Sequence, residues 1–162
     1  MPAVLFVCTA NICRSPMAAG IFRKIFEEKN PEGDWRIESA GTWGLDGEPA
    51  AAGSLAVMNN KGIDISEHRA RSVNQELLQA FDLILTMESG QKESMRMEFP
   101  EASDRIFLLS EMVDQKQDVD DPYGGAFLEY EHAAEEIEEY LLDGFDTIIY
   151  RAAHPNHDGQ ES

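Results

Sequence analysis

The 162-residue length suits one domain with a core of real size. Its 31 acidic against 13 basic residues give a formal charge of -18, which argues against nucleic acid or anionic membrane as partners. Both cysteines, Cys8 and Cys13, lie near the start, which excludes a disulfide framework and a four-ligand zinc set, and no apolar run approaches transmembrane length.

Residues 3–7, AVLFV, are an unbroken apolar run without alternation, as expected for a strand buried on both faces of a parallel sheet. The run is too short for a signal peptide and has no basic stretch before it, so the chain is expected to be cytoplasmic. Residues 8–15, CTANICRS, form a short loop. Ser15 is a favoured N-cap and Pro16 a favoured first helical residue. Met17, Ala18, Ile21, Phe22 and Ile25 follow at helical spacing, predicting a helix that ends near Glu28. Residues 30–33, NPEG, break the chain, and 35–39 alternate as a second strand leading into a small-residue loop over 39–44. A second helix is predicted over 50–61, a connector over 62–66, and a short helix over 73–79 capped by Ser72. Residues 81–87 read as a third strand, 88–97 as a helix and 105–109 as a fourth strand.

A polar loop over 110–125 follows, and loops of that length in compact domains are often functional. The last helix starts near Ala126. Tyr130, Ala133, Ala134, Ile137, Tyr140 and Leu141 form its buried stripe, and Glu131, Glu135 and Glu139 a solvated face. Gly144 weakens its far end. Residues 1–153 are expected to form the domain and 154–162 a polar, disordered tail.

Strands alternating with helices predict an α/β domain: a doubly wound, four-stranded parallel sheet with helices on both faces, flavodoxin-like. Ligands of such sheets bind beyond the carboxyl ends of the strands. Cys8 ends the first strand, 39–43 follow the second, Glu88 follows the third and the 110–125 loop follows the fourth, so all four reach one edge.

The first loop is suited to phosphate. A helix N-terminus offers unpaired N–H groups and partial positive charge, and a tight loop can aim further N–H groups at the same point. Arg14 adds a planar fork for two phosphate oxygens. The same field stabilises a thiolate at Cys8, which would face phosphorus as a nucleophile, with Ser15 able to donate to its sulfur. A departing phenolate or alkoxide needs a proton, for which the acidic pair in Asp120-Asp121-Pro122-Tyr123 is placed, because proline restricts the residue before it. The residues alone leave Asp120 and Asp121 both open. Trp43 and Tyr123 could wall a slot for an aromatic ring or simply pack their loops.

The run Val7-Cys8-Thr9-Ala10-Asn11-Ile12-Cys13-Arg14-Ser15-Pro16 resembles the low-molecular-weight protein tyrosine phosphatases, and the resemblance extends to the last helix. It implies a phosphotyrosine phosphatase that needs no metal or cofactor. Cys8 is then the nucleophile, Arg14 the phosphate clamp, and Thr9, Ala10, Asn11, Ile12, Cys13 and Ser15 the rest of the phosphate loop. The family's Asp-Pro-aromatic motif selects Asp121 as the general acid, and Ser39 and His68 match its supporting Ser and His. The resemblance also implies that Cys13 can trap an oxidised Cys8, beside its reading as a small buried residue. Two positions depart from the pattern. Ala10 stands where many members have Gly, a cost of about 1 kcal/mol if that residue needs positive φ. Gly124 stands where several eukaryotic members carry a second Tyr, which gives the sequence a bacterial character. The implied partner is a phosphotyrosine protein. A phosphoarginine phosphatase of the same family usually has Thr where Ile12 stands; an arsenate reductase would need further redox cysteines; a non-catalytic phosphate binder would not need Cys8, Arg14 and Asp121 together.

Overall fold

The computed structural model describes residues 1–155. Four parallel strands, β1 (Ala3–Cys8), β2 (Arg36–Gly41), β3 (Leu83–Thr86) and β4 (Ile106–Leu108), form one sheet in the order β2-β1-β3-β4. The order reverses at β1, so the end of β1, at Cys8, is the switch point where such sheets bind ligands. Strand β1 is buried throughout, as its lack of alternation predicts. Val4, Phe6 and Cys8 face one core with Phe22, Ile137 and Ile148; Ala3, Leu5 and Val7 face the other with Leu78, Phe81, Met95 and Ile106.

The helices are α1 (Arg14–Lys29), α2 (Ala52–Asn60), α3 (Gln75–Gln79), α4 (Ser89–Glu98), α5 (Phe127–Asp143) and α6 (Phe145–Ala153). Helix α1 starts at Arg14 with Cys13 in the cap position, so Ser15 is not the N-cap and Pro16 is the third helical residue rather than the first. Proline is tolerated there because first-turn N–H groups have no intrahelical acceptor. The Ser15 hydroxyl is engaged elsewhere, as described below. Asn74 rather than Ser72 caps α3, accepting from Leu77 N at 2.8 Å. Ser72 instead accepts from Gly44 N at 2.9 Å and pairs with Gly41.

The 110–125 segment is more ordered than a bare loop. It opens in a 3-10 turn (Leu109–Val113), and the buried Ser110 hydroxyl joins Gln115 O at 3.2 Å and Gln117 O and N at 2.9 Å. A second 3-10 turn (Pro100–Arg105), not apparent from the sequence, precedes β4. Gly144 does more than weaken the last helix: α5 stops at it and α6 starts after it. A Cβ there would lie 2.8 Å from Tyr140 O. His154 still belongs to the end of α6, and the rest of the expected tail, from residue 156, lies outside the described residues. Among the described residues no helix is long and apolar enough to cross a membrane.

Candidate functional site

Between β1 and α1 the chain turns all its carbonyls outward. Those of Cys8, Thr9, Ala10 and Ile12 accept from Thr42 N (2.9 Å), Trp43 N (2.9 Å), Leu45 N (3.0 Å) and Ala51 N (2.8 Å). The Asn11 carbonyl meets His68 Nε2 at 2.6 Å, and the Cys13 carbonyl accepts from the Ser54 hydroxyl at 3.1 Å. None of the hydrogen bonds among the described residues is donated by an N–H of residues 9–13. These donors are thus held ready beside the N-terminus of α1, an arrangement suited to an anion. The loop passes so close to β2 that a Cβ on Gly41 would sit 2.3 Å from Thr9 O, which requires glycine there.

Asn11 holds the loop's shape. It has φ 62°, so the left-handed residue is Asn11 and not Ala10, and the cost considered for Ala10 does not arise. Its buried amide donates to Ser15 Oγ (2.8 Å) and Ser39 Oγ (3.0 Å) and accepts from Arg71 N (3.0 Å). Because Ser15 Oγ accepts from Asn11, its own proton is free to point at Cys8 Sγ, 3.0 Å away.

Arg14 is 1% exposed. Its Nη1 donates to Glu88 Oε2 at 2.5 Å and to Val119 O at 2.6 Å, and Nη2 lies 3.7 Å from Asp121 Oδ2. Its Nε is buried and has no partner among the described residues. One side of the fork is thus committed to the protein, and the Nε–Nη2 edge can take two oxygens of an anion. Asp121 is half-exposed, and its Oδ1 accepts from Tyr123 N at 3.0 Å in a local turn around Pro122. Val119 also donates to Met87 O at 2.9 Å, tying the Asp121 loop to the end of β3.

His68 is half-buried, and burial lowers its pKa below the ordinary value; Arg23, Arg71 and Arg69 act in the same direction. Neutral His68 donating from Nε2 to the Asn11 carbonyl fixes that peptide. Cys13 is buried, and desolvation pushes its pKa up to about 11, with the hydrogen bond to Tyr130 Oη, 3.8 Å away, acting in the opposite direction. It is a thiol at neutral pH.

A groove of about 780 Å³ opens beside the loop. Ile12, Leu45, Ala50, Tyr123, Phe127 and Tyr130 are among its lining residues. Tyr123 is one of them. Trp43, 78% exposed, does not line this groove, and Leu45 occupies that side instead. Sequence reasoning placed Glu88 at the right edge but gave it no task; here it caps α4 and orients Arg14. It missed Gln91, which accepts from Met87 N and Glu88 N and donates to Thr9 Oγ1 at 3.0 Å. The Glu-x-x-Gln spacing at the start of a helix is the signal that could have found it. Among the described residues, no group of three or more His, Cys, Asp or Glu side chains could hold a metal ion.

The family model described as low molecular weight phosphotyrosine protein phosphatase matches residues 3–149. A Ralstonia nicotianae protein named "Probable low molecular weight protein-tyrosine-phosphatase EpsP" is 38% identical over 135 residues, covering 83% of this chain and 88% of its own. A protein-arginine-phosphatase of Geobacillus stearothermophilus is 37% identical over 139 residues, covering 85% of this chain and 90% of its own. The crystal structure of a low molecular weight protein tyrosine phosphatase from T. tengcongensis matches with a TM-score of 0.85 at 40% identity, covering 91% of this chain and 99% of that one.

Proposed function

Because this chain is a phosphatase belonging to the low molecular weight phosphotyrosine protein phosphatase family, we propose that it hydrolyses phosphotyrosine in proteins through a phosphocysteine intermediate. The Cys8 thiolate attacks phosphorus, forming an S–P bond as the P–O bond to the tyrosyl oxygen breaks. Asp121 gives its proton to the departing phenolate. The resulting carboxylate then takes a proton from a water that attacks phosphorus; the S–P bond breaks, its electron pair returns to sulfur, and inorganic phosphate leaves. The Nε–Nη2 edge of Arg14 and the loop N–H groups hold the equatorial oxygens, where charge builds in the transition state. They supply the positive charge, so the reaction needs neither metal nor cofactor. Asn11, Ser15, Ser39 and His68 act through the loop as positioning residues.

The observation that carries this reading is Arg14: a guanidinium 1% exposed, with a buried Nε that no described protein group satisfies. A bound phosphate would complete it. The half-exposure of Asp121, 3.7 Å from that guanidinium, supports the reading that it exchanges protons with both a leaving group and water. Ile12, an apolar residue where arginine phosphatases of the family usually carry Thr, supports the aromatic substrate. The charge of -18 supports a substrate that is neither nucleic acid nor an anionic membrane.

A turnover panel of peptides carrying phosphotyrosine, phosphoserine or phosphoarginine tests the reading, together with Cys8→Ser. The expected result is turnover of phosphotyrosine well above the other two, abolished in Cys8→Ser while vanadate still binds. Faster turnover of phosphoarginine would move the protein to that substrate, and binding without turnover by the parent would make it a phosphate-binding protein.

A further inference from the structure

The groove of about 780 Å³ beside the phosphate loop is much larger than one phenyl ring needs. Ile12 belongs both to the loop and to the groove, and Tyr123 lies two residues beyond Asp121. On one side Ala50 and Ala51, which lead into α2, and Ala52, Gly53 and Ala56 of α2 offer only small side chains. Gly53 is required there, since a Cβ would lie 2.4 Å from the Tyr130 ring. Across from them stand Tyr123 and Phe127, 65% and 44% exposed. These are large apolar side chains left open to water next to a reactive centre.

The charge at the groove has one sign. Glu48 is its charged lining residue, and no Lys or Arg lines it. The Glu129 carboxylate lies directly over Gly125, itself a lining residue. Arg69 precedes Ala70, whose N–H donates to the Glu48 carbonyl at 2.8 Å, but its guanidinium turns back to the His68 carbonyl at 2.7 Å. An acidic peptide would thus meet carboxylates on both sides with no partner, while a lysine or arginine would meet two.

We propose that this groove docks the residues flanking the phosphotyrosine, and that it selects an apolar side chain followed by a basic one. The apolar residue rests between the α2 alanines and Phe127, and the basic residue reaches Glu48 or Glu129. This rests on the phosphatase reading and adds the class of peptide to it.

Phosphotyrosine peptides identical except for a flanking pair of Leu-Lys, Leu-Glu or Ser-Lys, placed before or after the tyrosine, test the inference. p-Nitrophenyl phosphate, which carries no flanking residues, reports the chemistry separately. At low salt, kcat/KM for Leu-Lys should exceed that for Leu-Glu by about tenfold, falling toward about threefold in 0.5 M NaCl as exposed charges are screened. The double variant Glu48→Gln, Glu129→Gln should lose most of that preference while hydrolysing p-nitrophenyl phosphate at the parent rate. Phe127→Ser should remove the advantage of Leu-Lys over Ser-Lys. Equal rates for the three peptides, or a preference the variants leave unchanged, would overturn the docking proposal alone. A dimer in sedimentation that Phe127→Ser dissociates would give the groove to a second copy of this chain and overturn it too. Failure on p-nitrophenyl phosphate itself would instead strike the phosphatase reading.

Discussion

Replacing Asn11 tests whether the phosphate loop is held from behind by a single side chain. Its amide makes three hydrogen bonds, to Ser15, Ser39 and the Arg71 backbone, at 2.8, 3.0 and 3.0 Å, in a fully buried position. At about 1 kcal/mol each, their loss in Asn11→Ala costs roughly 3 kcal/mol. Alanine at φ 62° adds strain, about 1 kcal/mol more, for a total near 4 kcal/mol. For a chain of this size that is a fall in Tm of roughly 8–16 °C. Asn11→Gly loses the same bonds without the strain, largely offset by the backbone entropy of glycine, and should be milder by at most about 0.5 kcal/mol. Thermal unfolding of the parent and both variants measures this, and kcat/KM on p-nitrophenyl phosphate shows whether the loop donors scatter with the lost bonds. A fall of under about 3 °C for Asn11→Ala, or a glycine variant worse than the alanine one, would refute the assignment of the loop's strain and bonding to Asn11.

Asp121→Asn should slow phenyl phosphate far more than p-nitrophenyl phosphate, whose leaving group hardly needs a proton; equal losses, or a larger loss from Asp120→Asn, would count against Asp121 as the acid. Glu88→Gln weakens a charge-assisted bond to Arg14 worth about 1.5–3 kcal/mol, so kcat/KM should drop by roughly tenfold or more, and an unchanged value would leave the Val119 carbonyl as the only orienting group. His68 has a folded pKa below 6.5, so as pH falls the unfolded chain takes up the proton first; its stabilising contribution is complete above 6.5 and is lost below it. Denaturation midpoints between pH 7.5 and 5 should therefore fall more steeply for the parent than for His68→Asn, and parallel curves would sink the linkage. Capture of an oxidised Cys8 requires the Cys13 thiolate, and with a pKa of about 11 its supply rises about tenfold per pH unit below that value. The fraction of activity that dithiothreitol restores after peroxide should therefore grow from pH 7 to 9 in the parent and not in Cys13→Ser; a fraction independent of pH would leave Cys13 as a packing residue.

What was legible in the sequence was local. Strand β1 and the core stripe of α5 announce themselves by composition and period, and the phosphate loop by Cys8 and Arg14 flanking a short turn. What was not legible was long-range. Nothing near Asn11 in the chain indicates that His68 will bond its carbonyl or that Arg71 will donate to its side chain. Ser15 was misplaced for a related reason. A serine before a proline reads as a cap, but Cys8 and Asn11, brought close by the turn, outcompete the backbone for its hydroxyl. Ala10 looked like the strained position because glycine is frequent there in the family, whereas the φ values put the left-handed residue one step later, where an asparagine with a bonded side chain tolerates it. Trp43 looked like a wall because it is aromatic and follows β2, yet its backbone serves the loop through Thr9 O while its side chain stays in solvent.

A carboxylate bonded to the arginine proposed to hold phosphate runs against the binding of an anion, more so in a chain carrying -18. The geometry resolves it. A guanidinium that is 1% exposed cannot remain uncompensated, because desolvating a lone charge costs several kcal/mol, on the order of the whole stability of a domain. Glu88 and the Val119 carbonyl supply that compensation, but both reach Nη1, and the Nε–Nη2 edge is left to the ligand. The acid residues across the surface act through water, where salt screens them within about 8 Å. The loop N–H groups and Arg14 act at contact, where salt does little. The two scales are therefore separable. On the proposed reading, the short-range donors hold phosphate at the bottom of the site, while the acidic surface selects the peptide at its rim.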